Sequence, residues 1–233
     1  PFQSGPIDLG EKAITLRAAA GRRPQITLAD NRDGSIDAAL IKTAGRLRLE
    51  GIEFHRGTAR KPGQVAGRAP DAILLVRSAP LEVINCRFTT TGPAVGILAQ
   101  QVSRCQVSNS EFVCLRGSAV DWACSDGGRL ELSNCVQVGQ LGLFVHFHRR
   151  ELRDVSVRID QSTFVTASAV RLVVPSGRIL QPIEISSTLN VFDATNAILE
   201  IERLREMRRV PPGGRKSLEP MPSSQLHWSG KQN

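Results

Sequence analysis

The chain has 233 residues, of which 41% are apolar, only 4% are aromatic and none is Tyr, and it carries a net charge of +8 with a pI near 9.9. No run of 18 or more apolar residues occurs, which excludes a membrane-spanning helix, and the scarcity of rings argues against a carbohydrate face built on exposed aromatic platforms. The excess of cations, mostly Arg, admits acidic polymers as partners; spread along the chain without interleaved aromatics, it argues against nucleic acid.

Pro1 to Glu11 is a lead-in punctuated by Gly and Pro; it has no secretory leader pattern and no initiating Met, and the chain reads as a piece of something longer. Lys12 to Arg17 and Gln25 to Ala29 form the first coil, and Asp30 to Ile36 a polar turn. From Leu47 onward one frame returns: apolar, polar, apolar, two spacers, small, polar, aromatic. It is clearest in Leu81 to Phe88 and is repeated in Leu47 to Phe54, Cys105 to Phe112, Leu130 to Gln137, Val157 to Phe164 and, decayed, Ile183 to Asn190. The starting positions 47, 81, 105, 130, 157 and 183 step by 34, 24, 25, 27 and 26 residues, the near-constant period of a solenoid.

Each copy opens with strict alternation, as in Leu130-Glu131-Leu132, so the unit is a strand rather than a helix pair. A second apolar segment precedes each copy: Ala39 to Lys42, Ala72 to Val76, Ala94 to Ala99, Ala119 to Cys124, Gly142 to Phe147 and Ala169 to Val174. Stacked strands of this kind predict an all-β fold, a right-handed parallel β-helix of about seven or eight coils. Phe54, Phe88, Phe112 and Phe164 fall in one inner column that Gln137 interrupts, and Gly51, Asn85, Asn109, Asn134 and Gln161 in another, where amides are expected to bond rung to rung in a buried bend. The outward column is read as Arg48, Glu82, Gln106, Glu131, Arg158 and Glu184, a mixed-sign solvated face.

The long step of 34 marks an exposed basic insertion from His55 to Asp71, and His148 to Asp154 is a shorter one. The helix is expected over 1–210. Its last part, Asn196 to Val210, reads either as a helix lined by Ile198, Ile201, Leu204 and Met207 or as a strand lined by Ala197, Leu199 and Ile201. Residues 211–225 form a Pro-, Gly- and Ser-rich flexible loop, and 226–233 a further strand cut short.

Five cysteines, at 86, 105, 114, 124 and 135, are odd in number and lack paired metal spacing. Cys86 and Cys135 share a column but lie two rungs apart, about 9 to 10 Å, too far to bridge. Buried thiols are therefore expected, and they leave the compartment open. No metal site and no cofactor is expected.

One outward cluster stands out. Asp121 lies on one rung, flanked in its column by Gly96 and Phe144; His146 and His148 follow on the next, and Arg171 on the third. Two imidazoles between a carboxylate and a guanidinium could bind an anion or exchange protons; the same residues also read as a solvated outer strand beside a basic turn. Catalytic residues are not assigned. Hydrolysis needs two facing carboxyl groups, and Glu82 and Glu131 are two rungs apart with Gln106 between.

The opening, Ile7-Asp8-Leu9-Gly10 followed by Lys12 to Gly21 and Arg23-Pro24, resembles the first coil of the right-handed β-helix (pectin-lyase-like) modules of large planctomycete proteins. Leu226 to Asn233 resembles a later strand of the same modules. The resemblance implies an accessory module, often C-terminal to a serine/threonine kinase domain, that serves as a noncatalytic binding or spacer element. Acidic polysaccharide or another protein would then be its partner. The alternative implied by the same fold family is a divergent polysaccharide lyase or glycoside hydrolase. None of a kinase's own motifs is present in the chain: no glycine-rich loop before a Val-Ala-x-Lys strand, no His-Arg-Asp and no Asp-Phe-Gly.

Overall fold

A computed structural model describes residues 1–28, 39–57, 71–124, 127–147, 154–175, 183–204 and 226–231. In chain order the first strands are β1 (Phe2–Ser4), β2 (Ile7–Asp8), β3 (Ile14–Arg17), β4 (Gln25–Leu28), β5 (Ile41–Thr43), β6 (Leu47–Glu50) and β7 (Glu53–Arg56). The middle rungs hold β8 (Asp71–Arg77), β9 (Leu81–Ile84), β10 (Arg87–Thr90), β11 (Ala94–Gln100), β12 (Arg104–Ser108), β13 (Glu111–Cys124) and β14 (Gly128–Ser133). The last are β15 (Val136–Phe147), β16 (Val155–Asp160), β17 (Thr163–Pro175), β18 (Ile183–Thr188), β19 (Val191–Leu204) and β20 (Leu226–Lys231).

All pairings among these strands are parallel, and they build a right-handed type of β-solenoid with three faces. The first face is an eight-stranded sheet, β3, β6, β9, β12, β14, β16, β18 and β20, stacked in that order. Six of its eight strands are paired on both edges, which gives about six complete turns with a partial rung at either end. After a sharp bend the chain enters the second face (β4, β7, β10 and the front of β13, β15, β17 and β19). It then turns into the third face, made of β2, β5, β8, β11 and the rear of the same four long strands.

The bend from first to second face explains the amide column. Gly51, Asn85, Asn109, Asn134, Gln161 and Leu189 all adopt φ between 49° and 73°, the left-handed region that Gly and Asn tolerate best. The amide side chains are exposed rather than buried, and one rung-to-rung bond joins them, Asn134 Nδ2 donating to Asn109 Oδ1 at 2.7 Å. Satisfaction inside the bend comes instead from the next residue. Ser110 Oγ accepts from the Cys86 amide at 3.1 Å and donates to Ser108 O, and Ser162 does the same for Cys135 and Asp160. Asn190 closes the series by accepting from the Ser162 amide and donating to Ile159 O.

Two residues further, the aromatic column fills the coil. Phe54 and Phe88 stack at 5.2 Å and Phe88 and Phe112 at 5.0 Å; Phe164 meets Phe192 at 5.1 Å. Phe192 belongs to this column although the sequence frame places Asn190 there. The true copy starts at Ile185, paired with Val157, so the last repeat is two residues longer than read. The same two-residue offset makes Ser186, not Glu184, the outward successor of Arg158. Gln137 interrupts the rings at 0% exposure, and neither atom of its amide finds a partner. Trp122, the largest fully buried side chain, donates Nε1–H to Val102 O at 2.9 Å, so its one polar group is satisfied.

One further expectation changes and one open reading is decided. His55 and Arg56 belong to β7 rather than to the insertion, and Arg56 is 3% exposed, its guanidinium donating to Ala72 O. The segment from Asn196 is strand as far as Leu204, with Leu199 against the core and Ile198 and Ile201 exposed. Residues 205–210, the polar turn Asp30 to Ile36 and the proposed loop 211–225 lie outside the described residues.

All five cysteines are buried, and none is in a disulfide. Burial pushes the Cys105 thiol up to about 12 and those of Cys114 and Cys135 to about 11 from an ordinary 9.0, because a thiolate there would lose its hydration.

Three outcomes are expected. Gln137→Met, which removes an unpaired buried amide at nearly constant volume, stabilises the fold by roughly 1 to 2 kcal/mol in urea unfolding, whereas Phe112→Ala costs about 3 to 5 kcal/mol. The raised thiols add stability that is fully present below pH 9.0 and is lost as pH climbs toward 11 and 12, since the unfolded chain releases those protons first. Unfolding midpoints measured from pH 8 to 11 should fall, and the fall should flatten when the cysteines are replaced by Ala.

Candidate functional site

The outward residues of the third face form columns fixed by strand register. One runs Leu75, Leu98, Asp121, Phe144, Arg171 and Glu200; the next runs Arg77, Gln100, Ala123, His146, Val173 and Glu202. Asp121 is therefore preceded by Leu98 rather than by Gly96. Leu98 and Asp121 pair 23 residues apart, two fewer than the 25 that Gly96 would need, and a shift of two preserves the face and changes the neighbour.

Alternation aims Trp122 into the coil and Asp121 out of it, yet Asp121 is only 5% exposed. Its Oδ1 lies 2.8 Å from His146 Nε2 on the diagonal of the next rung, an ion-pair contact that is short but not aligned as a hydrogen bond. The Phe144 ring stacks on the His146 imidazole at 5.2 Å with 15° between planes. A buried carboxylate and a flat ring thus fix the imidazole in position. In register, His146 has Ala123 and Val173 beside it, neither of which carries a reactive group.

Arg171 is separated from Asp121 by Phe144 and turns the other way. It lies 3.4 Å from Glu200 and 3.2 Å from Glu202, while Ser168 Oγ donates to Glu200 at 2.6 Å. Arg171, Glu200 and Ser168 line a groove of about 410 Å³ at the corner between the second and third faces, together with Ser118, Gln140 and Asn196. His148 lies outside the described residues. Of the four residues singled out in the sequence, Asp121 and His146 are brought together and Arg171 is held by a separate acidic pair. Glu200 and Glu202 escaped notice because the segment after Asn196 reads equally as helix or strand, although its Glu-x-Glu alternation is a strand signal.

Among the described residues no group of three His, Cys, Asp or Glu is close enough to hold a metal ion, and no helix is long and apolar enough to cross a membrane. The fold defines the chain as a parallel β-helix solenoid. Comparison with family models, curated proteins and solved structures finds no match that would place it in a particular family.

A double-mutant cycle over Asp121→Ala and His146→Ala should give a coupling of roughly 0.5 to 3 kcal/mol in unfolding free energy. Strictly additive single effects would show that the 2.8 Å contact contributes nothing in solution.

Proposed function

We propose that this chain is a noncatalytic β-helix binding or spacer module of a larger protein. The observation that carries the reading is the use made of the outward carboxylates. Glu50 is held by Arg17 at 3.3 Å, Glu82 by Arg48 at 3.0 Å, Glu53 by Arg23 at 3.3 Å, Glu111 by Arg87 at 3.3 Å and Glu131 by Arg129 at 2.7 Å. The Gln106 amide also bonds to Glu131 and, with Arg129, holds its carboxyl below the usual range although partial burial works against them. Glycoside hydrolysis asks for one protonated acid and one free carboxylate across the substrate. Carboxylates tied to guanidinium groups along a sheet instead make a rigid, charge-balanced surface, the property a spacer or display module needs.

On the resemblance of its opening and closing strands, the larger protein is a planctomycete serine/threonine kinase-like protein with this module as its accessory region. The partner class is an acidic polysaccharide or another protein. Asp121, His146, His148 and Arg171 are the binding residues of that reading.

A second reading, a divergent polysaccharide lyase or glycoside hydrolase, is favoured by one contact: Asp121 against His146 is a carboxylate-oriented imidazole of the kind that moves protons. The two readings part in an assay of polygalacturonate, alginate, xylan and chitin for new reducing ends and for unsaturated-uronate absorbance. No turnover above buffer is expected from the native chain. Turnover that disappears in Asp121→Asn and His146→Gln would replace the first reading with the second.

A further inference from the structure

The first face carries a basic groove that lies apart from the third-face pair. Leu47, Leu81, Cys105 and Leu130 are in register and point inward, so the residues before them, Arg46, Pro80, Arg104 and Arg129, form an outward column along the solenoid axis. Beside it runs the column Arg48, Glu82, Gln106, Glu131 and Arg158. A groove of about 420 Å³ is lined by Arg46, Arg48, Pro80, Glu82, Arg104 and Gln106.

The cations of this groove are not equally committed. Arg48 bonds to Glu82 and Arg129 pairs with Glu131, whereas Arg46 and Arg104 are exposed and make no direct ion pair or side-chain hydrogen bond with the described residues, although the charge of Arg104 also helps to lower the Glu131 carboxyl. Arg104 also stands directly opposite Arg129 on the neighbouring strand, a like-charge pair that an anion between or beside them would relieve. Arg46 and Arg104 are two rungs apart, about 9 to 10 Å, with the exposed ring of Pro80 between them.

We propose that this groove binds an acidic glycan that carries one carboxylate or sulfate on alternate sugars, laid along the solenoid axis. Two pyranose units of an extended chain span a length similar to two rungs. Successive anionic groups therefore meet Arg46 and Arg104, each able to grip a carboxylate or sulfate with a planar fork of donors. The intervening neutral sugar rests on Pro80, and its hydroxyls reach Glu82 and Gln106. A more densely charged chain would bring its extra anions against Glu82 and Glu131. An extended peptide is disfavoured because the backbone donors and acceptors of this sheet are already used between strands, which leaves no edge for strand addition at this point. A single-stranded nucleic acid would find no exposed aromatic ring among the groove's lining residues.

The test is titration calorimetry of the native chain against hyaluronan and unsulfated chondroitin oligosaccharides, with chondroitin sulfate, oligogalacturonate, cello-oligosaccharide and oligoglutamate as comparisons. The alternately charged glycans should bind best, and their affinity should fall as salt rises. The Arg46→Gln, Arg104→Gln double variant should weaken binding roughly tenfold or more, while Arg87→Gln on the second face leaves it unchanged. Unaltered circular dichroism and melting of each variant separate a lost site from a lost fold. Equal binding by the double variant, tighter binding of oligoglutamate or oligogalacturonate, or no glycan binding by the native chain would each overturn the proposal. Because none of these arms reads turnover or involves Asp121 or His146, they leave the choice between spacer and enzyme to its own assay.

Discussion

Everything in this molecule depends on a parallel backbone ladder that continues unbroken through the bend between the first and second faces. The amides of Gly51, Asn85, Asn109, Asn134 and Gln161 donate to Ile84, Ser108, Ser133, Asp160 and Thr188, each one rung on. A left-handed residue is what lets the chain turn there without losing that bond. The hydroxyls of Ser110 and Ser162 and the amide of Asn190 then satisfy the groups the turn exposes inward. With the bend fixed on each rung, the next inward side chain is fixed too, and the rings of Phe54, Phe88 and Phe112 come to stack.

The same register decides the chemistry of the outside. Side chains a rung apart stand about 4.8 Å from one another, close enough for Arg and Glu to pair along the axis. Individually such exposed pairs contribute little, typically 0 to about 1 kcal/mol. Their larger effect is to neutralise carboxylates that would otherwise face solvent as a cluster. What lies outside this Arg–Glu pairing is therefore informative: Arg46 and Arg104, without a direct ion pair among the described residues, on the first face, and on the third a buried carboxylate set against His146.

The fold was legible because its signal is doubled, once in the period-2 alternation of each strand and again in the 24- to 27-residue recurrence of Phe and Asn. The slipped columns share one cause. A step between rungs that is shorter or longer than the period displaces the frame by two residues, and since alternation is conserved under that shift, the faces are read correctly while the columns slip. Leu98 was exchanged for Gly96 beside Asp121, Ser186 for Glu184, and Phe192 was passed over in favour of Asn190. The bend was misjudged differently: an Asn column looks the same whether it is selected for an amide ladder or for its left-handed backbone, and here the backbone dominates. The Asp121–His146 contact followed from spacing alone, but the capture of Arg171 by Glu200 and Glu202 needed the path of a strand that sequence left ambiguous.

The central claim is that one register, set at the bend, orders the whole interior, and the aromatic column reports it directly. Ring-to-ring nuclear Overhauser contacts in a sample labelled only at its eight phenylalanines measure that column without perturbing it. Contacts are expected between Phe54 and Phe88, between Phe88 and Phe112, and between Phe164 and Phe192, with none between Phe112 and Phe164, where Gln137 intervenes. A contact between Phe112 and Phe164, or the loss of the Phe88–Phe112 contact, would contradict the register and with it the placement of every outer residue discussed above.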